Sequence, residues 1–141
     1  MSNIPANLLQ GWKIVIVEDE PDNLEVAAYI LEFYGAIVYP AMDGKEGLAV
    51  ITDTSPDFVI SDLSMPSMDG WELIHKLKLN LATREIPIIA LTAHAMTGDR
   101  ERAIAAGFHN YLTKPLTVDT FIDQIVKLLL AIPSLSEHLN I

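Results

Sequence analysis

The chain has 141 residues, 50% of them apolar and 20% charged, which is enough for one domain with a proper core and too apolar for disorder. It holds no cysteine, which excludes a disulfide framework, a thiol nucleophile and cysteine-ligated zinc. Nine basic residues stand against nineteen acidic ones, a net charge of -10; direct nucleic-acid binding lacks its basic footprint, and the acidity suits either a solvated surface or carboxylates gathered around a cation.

Residues 1–12 read as a leader, punctuated by Pro5 and Gly11. Its apolar run, Ile4 to Leu9, is too short for a signal peptide and follows no basic segment. No stretch approaches the length of a membrane span, so the expectation is a cytoplasmic protein without membrane contact. Lys13 to Val17 is a β-branched strand that ends on Glu18-Asp19-Glu20. Pro21 suits the first turn of a helix, along which Leu24, Ala27, Ala28 and Leu31 recur at helical spacing until Gly35 stops it. Ala36 to Tyr39 reads as a second strand, and Asp43-Gly44 opens a second helix carrying Leu48 and Ile51.

Phe58 to Ser61 is a short continuous apolar run bounded by turn residues, as expected of a central parallel strand, and it ends on Asp62 before a Pro/Gly loop. Asp69 is a plausible cap for a third helix bearing Leu73, Ile74 and Leu77. Pro87 starts a fourth strand, Ile88 to Leu91, which runs into Thr92-Ala93. A short fourth helix covers Gly98 to Ala106 and stops at Gly107; a fifth strand, Asn110 to Thr113, closes on Lys114-Pro115. The last helix, about Thr117 to Leu130, puts Val118, Phe121, Ile122, Ile125 and Leu129 on one face, and the tail from Pro133 to Ile141 reads as frayed or loosely docked.

Strands and helices alternate five times, a pattern that predicts an α/β domain over 13–130, a doubly wound five-stranded parallel sheet with helices on both faces. The flanks are the leader and a tail at 131–141, with no linker to a second domain. Four strands end on functional side chains: Glu18 and Asp19, Asp62, Thr92, and Lys114. Carboxyl ends of parallel strands share one edge, where ligands of open α/β sheets bind. In the flavodoxin-like strand order 2-1-3-4-5, Asp19 and Asp62 would face each other across a crevice, with Thr92 and Lys114 along its far wall.

Singly, each residue has a plainer reading. Asp62 could start a turn, the acidic triplet could favour a helix N-terminus, Thr92 could be a strand-end hydroxyl and Lys114 a solvated charge. All of them at the same end of consecutive strands is much harder to obtain by accident. Carboxylates packed together repel unless a cation joins them, and an all-oxygen set suits Mg²⁺. None of His75, His94, His109 and His138 is spaced as a zinc ligand, and they read as surface or structural residues. An ammonium and a hydroxyl facing a metal-bound carboxylate can accommodate a phosphoryl group, and a carboxylate is a competent nucleophile toward phosphorus, which makes Asp62 the candidate acceptor.

Val-Glu-Asp-Glu at 17–20, Ser-Asp-Leu-Ser-Met-Pro-Ser-Met-Asp-Gly at 61–70, Leu-Thr-Ala-His-Ala-Met at 91–96 and Tyr-Leu-Thr-Lys-Pro at 111–115 closely resemble the receiver domain of two-component response regulators. The match runs from about Lys13 to Leu130, in order and at the right spacing. The strand order 2-1-3-4-5 is the one that family has, so it is not independent of the resemblance. The resemblance implies that Asp62 accepts a phosphoryl group from a phosphohistidine on a sensor histidine kinase or histidine phosphotransfer protein. It makes Asp19 and Asp62 direct Mg²⁺ ligands, with Glu18 acting mainly through water and the Ser64 carbonyl as a further ligand. It assigns Lys114 to a phosphate oxygen, with a cis peptide before Pro115. It has Thr92 move onto the phosphoryl group while Tyr111 turns inward, a population shift between two states. Ser64 and His94 fall where family members tune access of the hydrolytic water.

The same resemblance makes the fourth helix, fifth strand and last helix an output face for a downstream protein. Val126 and Leu130 on the shoulder of the last helix fit a homodimer or partner contact, or wider burial within the domain. On this reading the chain is no turnover enzyme and catalyses only its own phosphoryl acceptance and loss. It is either a stand-alone protein or the receiver of a hybrid sensor kinase. An Mg²⁺-dependent phosphatase with Asp62 as nucleophile is the rival, but the acid such enzymes commonly place two residues on is Ser64 here. A pseudo-receiver that is never phosphorylated is opposed by the complete acidic set with Lys114. A nucleotide-binding flavodoxin relative is opposed by the acidic turn after the first strand, which lacks a glycine-rich loop.

Overall fold

The computed structural model describes residues 4–93, 99–114 and 116–139. Among them five strands, β1 Lys13–Val17, β2 Ile37–Ala41, β3 Phe58–Asp62, β4 Ile88–Thr92 and β5 Asn110–Thr113, form one sheet of order β2-β1-β3-β4-β5. All of its ladders are parallel. The helices are α1 Pro21–Phe33, α2 Gly44–Thr54, α3 Gly70–Leu79, α4 Asp99–Ala106, α5 Val118–Leu130 and α6 Pro133–Ser136.

The period of two along each strand splits the interior into two cores. Ile14, Ile16, Phe58 and Ile60 point to one side, where Leu31 of α1 and Phe121 and Ile125 of α5 cover them. Val15, Val17 and Val59 point to the other, against Ile51, Leu73, Leu77 and Ala103 of α2, α3 and α4. A strand covered on both faces has no reason to alternate, and all five residues of β3 are buried. Two of the helices that follow strand ends are capped as their sequences dictate: the Asp43 carboxylate accepts from Glu46 N–H and the Asp69 carboxylate from Glu72 N–H, each at 2.8 Å. These caps fix where the chain turns away from the sheet's carboxyl edge.

The structure sharpens the expectations for two segments. The second strand runs Ile37–Ala41 where Ala36 to Tyr39 is expected: Ala36 N–H closes the end of α1 on the Leu31 carbonyl at 3.1 Å, and pairing with β1 continues through Pro40 and Ala41. Pro40 is tolerated within this strand because β2 lies at the sheet's edge. Of the two expectations for the tail, frayed or loosely docked, its described residues fit docking: α6 brings Leu135 into the core that α1 and α5 cover, the cluster that also takes in Leu8, Leu9 and Trp12 of the N-terminal segment. Leu8 and Leu9 are fully buried, and Leu9 N–H donates to the Tyr34 carbonyl at 2.9 Å. The short apolar runs at the two ends close the amino-terminal edge of that core. No helix among the described residues is long and apolar enough to cross a membrane.

That amino-terminal edge also carries a titratable group. His109 N–H donates to the Ile88 carbonyl at 2.8 Å, and its Nδ1 accepts from Ile88 N–H at 3.3 Å. Burial, with the positive charge of Lys78, holds its pKa below the ordinary 6.5. The fold therefore favours the neutral ring. The stability it contributes is complete above the unfolded pKa and is lost as pH falls toward the folded one. His109→Asn keeps an acceptor near the Nδ1 position without the titration. The difference in Tm between wild type and this variant, followed from about pH 8 to about pH 5, should move against the wild type on acidification. A difference independent of pH would refute that role.

Candidate functional site

Parallel pairing places the strand ends side by side. Val17 pairs with Ser61, so Glu18 comes level with Asp62, and Asp62 itself pairs with Leu91. Thr92 pairs with Thr113, and Lys114 N–H extends that ladder to the Thr92 carbonyl at 2.8 Å. Glu18, Asp62 and Thr92 are buried, polar groups placed where the apolar pattern of each strand gives out. Asp19 is more exposed.

Carboxylate oxygens of Glu18, Asp19 and Asp62 lie within 4.8 Å of one another. Lys114 Nζ reaches in from across the sheet edge, donating to Asp62 Oδ2 at 2.9 Å and forming an ion pair with Glu18 Oε1 at 2.7 Å. The other Asp62 oxygen, Oδ1, accepts from Ser64 N–H at 3.2 Å, and Glu18 Oε2 accepts from Glu20 N–H at 2.9 Å. Burial pushes the Glu18 carboxyl up to about 7, against the lowering effect of Lys114 and the Glu20 N–H, and the Asp62 charge adds to the rise. Burial works against the Lys114 ammonium, but its hydrogen bonds to Glu18 and Asp62 and their charges outweigh it, so its pKa is raised.

One ammonium among three carboxylates leaves the ionised cluster two charges negative. Glu18 Oε1 is buried, and Lys114 Nζ, which it shares with Asp62, stands 2.7 Å from it. Buried carboxylates in a net-negative, all-oxygen cluster fit a hard divalent cation such as Mg²⁺. Asp19→Asn should raise the Mg²⁺ dissociation constant by about tenfold or more, read by calorimetric titration. Metal-free stability should not fall, since the substitution removes a repelling charge; unchanged Mg²⁺ affinity would contradict the assignment.

Thr92 lies on a cavity of about 320 Å³ beside this cluster, lined also by Ser64, Met65, Asp69, Trp71 and Arg102. Tyr111, in β5, is half-buried and packed against the core under α3 and α4. Of the residues singled out in the sequence, the structure thus clusters Glu18, Asp19, Asp62 and Lys114, with Ser64 hydrogen-bonded at their edge and Thr92 on the adjoining wall. His94 and Pro115 lie outside the described residues. Sequence reasoning missed the cavity's outer wall. Arg102 sits over the Trp71 ring at 4.3 Å, a contact between α4 and α3 that no local spacing announces.

The family profile described as "Response regulator receiver domain" matches residues 14–126. An uncharacterized 14.6 kDa protein of Leptolyngbya boryana is 39% identical over 125 residues, which cover 89% of this chain and 95% of that one. The polar-differentiation response regulator DivK of Brucella ovis is 35% identical over 112 residues, 79% of this chain and 91% of its own. Among solved structures, the receiver domain of a Pseudomonas aeruginosa sensor histidine kinase superposes with a TM-score of 0.74 at 32% identity, over 83% of this chain and 96% of that one. That domain was crystallised with magnesium coordinated in its active site cleft.

Proposed function

The chain belongs to the response regulator receiver family, and from that premise we propose that Asp62 accepts a phosphoryl group from a phosphohistidine on a sensor histidine kinase or a histidine phosphotransfer protein. Receiver domains are phosphorylation-dependent signalling proteins and not classical enzymes. The observation that supports Asp62 as the acceptor is its position under Lys114 Nζ, in contact with the same acidic cluster.

An Asp62 carboxylate oxygen attacks phosphorus, the bond from phosphorus to the donor's ring nitrogen breaks, and that nitrogen keeps the electron pair. Lys114, already drawn to the Asp62 carboxylate, moves onto a phosphoryl oxygen. Ser64 N–H orients the other carboxylate oxygen. Asp19, Asp62 and the Ser64 carbonyl would hold Mg²⁺, with Glu18 acting mainly through water; bound there, the ion neutralises phosphoryl oxygens. Thr92 closes on the phosphoryl group and Tyr111 turns inward. The contacts exist in only one of two states, so they shift the population of the α4–β5–α5 face that a downstream protein reads. On that face Ile104 of α4 and Leu130 of α5 are exposed, while Val126 is partly buried against the domain's own core.

Incubation with Mg²⁺ and a radiolabelled histidine phosphotransfer protein should move label from the donor histidine onto this chain, at one phosphoryl group per chain. The same protein should not sustain phosphate release from p-nitrophenyl phosphate. Continuing turnover of that ester without stoichiometric labelling would identify a phosphatase and overturn the reading.

A further inference from the structure

The cavity beside the acidic cluster carries a guanidinium, that of Arg102, which the phosphoryl-transfer step does not use. Trp71 follows Gly70, whose N–H donates to the Leu63 carbonyl at 3.0 Å, just beyond Asp62. The indole is held edge-on by Phe108, ring centroids 5.9 Å apart, and Phe108 is itself buried. This fixed ring is the seat for the Arg102 guanidinium, 4.3 Å above it. Among the described residues Arg102 forms no ion pair, and it lines the same cavity as Ser64 and Thr92. Asp69, the acid on that wall, is engaged in capping α3 through Glu72 N–H.

Around it the electrostatics are unfavourable to any anionic phosphoryl donor. The chain carries a net charge of -10, and three carboxylates surround the acceptor. Lys114 is already committed to two of them. A dianion entering this cavity, whose lining residues Leu63 and Ser64 directly follow Asp62, meets the Arg102 guanidinium, which among the described residues is in no ion pair. We propose that Arg102, seated on Trp71, is a specificity-determining residue that favours small anionic phosphoryl donors of the acyl phosphate class by drawing them into this cavity. The proposal rests on Asp62 being the acceptor. With acetyl phosphate, an Asp62 oxygen forms the new bond to phosphorus, the bond from phosphorus to the acyl oxygen breaks, and acetate leaves with the electron pair. Arg102 takes no part in bond making; it raises the local concentration of the dianion and orients it.

The test compares second-order rate constants for Asp62 phosphorylation by acetyl phosphate, a dianion, and by phosphoramidate, which carries less net charge, at saturating Mg²⁺. Arg102→Gln should slow acetyl phosphate by about fivefold at low ionic strength and phosphoramidate by less than about twofold, with both effects fading as salt is added. Arg102→Lys should fall between wild type and Arg102→Gln, and Trp71→Leu should behave like Arg102→Gln because the guanidinium loses its seat. Arg102 is exposed, so Tm and Mg²⁺ affinity should stay at wild-type values in its variants. An unchanged rate with acetyl phosphate, equal slowing of both donors, or slowing that salt does not relieve would overturn the proposal. A wild-type protein that takes no phosphoryl group from either donor would instead remove the premise that Asp62 is the acceptor.

Discussion

Lys114→Met should destabilise the metal-free protein by about 3 kcal/mol at alkaline pH, the expected cost of removing one partner from a buried ion pair. Methionine fills much of the volume of the lysine stem, so the loss isolates charge. In wild type the ammonium meets Glu18 at 2.7 Å and Asp62 at 2.9 Å, and the two carboxylates are almost wholly out of solvent. The sign with pH follows from Glu18, whose pKa is raised to about 7. A raised carboxyl pKa contributes stability that is complete below the unfolded value and is lost as pH rises through the folded one. Without Lys114 the folded value moves higher still. Wild type and variant should run parallel while Glu18 is protonated in both folded states, then separate as pH rises past about 7, where only wild-type Glu18 ionises beside an ammonium. Mg²⁺ should return much of the variant's lost stability, because it supplies the missing positive charge. Chemical denaturation at about pH 8.5, with and without Mg²⁺, reads both effects; equal stability of the two proteins would contradict the charge accounting.

Gly70→Ala should cost about 3 kcal/mol, at the upper end of what overpacking does, and should weaken Mg²⁺ binding in the same step. A Cβ at Gly70 would lie 2.3 Å from the Asp62 carbonyl oxygen and 2.9 Å from Leu63 Cα. Both are backbone atoms, so no side chain can rotate away. Either α3 lifts from the end of β3 or the Asp62 backbone shifts, and the second outcome displaces the acceptor from Lys114. The glycine is thus a structural requirement of the site: the loop after Asp62 must fold back closely enough for α3 to start on top of the strand. Denaturation midpoints and a Mg²⁺ titration of the same sample check it, and retention of both at wild-type values would show that the loop has slack.

The pocket was legible in the sequence because each of its members interrupts a strong local pattern. Strand β3 is continuously apolar until Ser61 and Asp62, β1 until Glu18, and β4 until Thr92, and parallel strands that end together bring such interruptions to one edge. Lys114 was legible from its place one residue past β5, at the same edge of the sheet. What escaped notice depends on packing between distant segments. Leu8 and Leu135 carry no periodic signal in runs of their lengths, yet each finds the same opening in the core. Trp71 and Arg102 belong to different helices, and nothing in either helix's own spacing points to the other. The start of β2 was misplaced by one residue because the hydrogen bond that closes α1 is invisible until the turn is formed.

The most direct measurement is the location of the phosphoryl group itself. After incubation with Mg²⁺ and acetyl phosphate, reduction with borohydride and peptide mapping should find the reduced residue at position 62 alone, and Asp62→Asn should carry no phosphoryl group. Label on a histidine or on any other carboxylate, or undiminished labelling of Asp62→Asn, would contradict Asp62 as the acceptor.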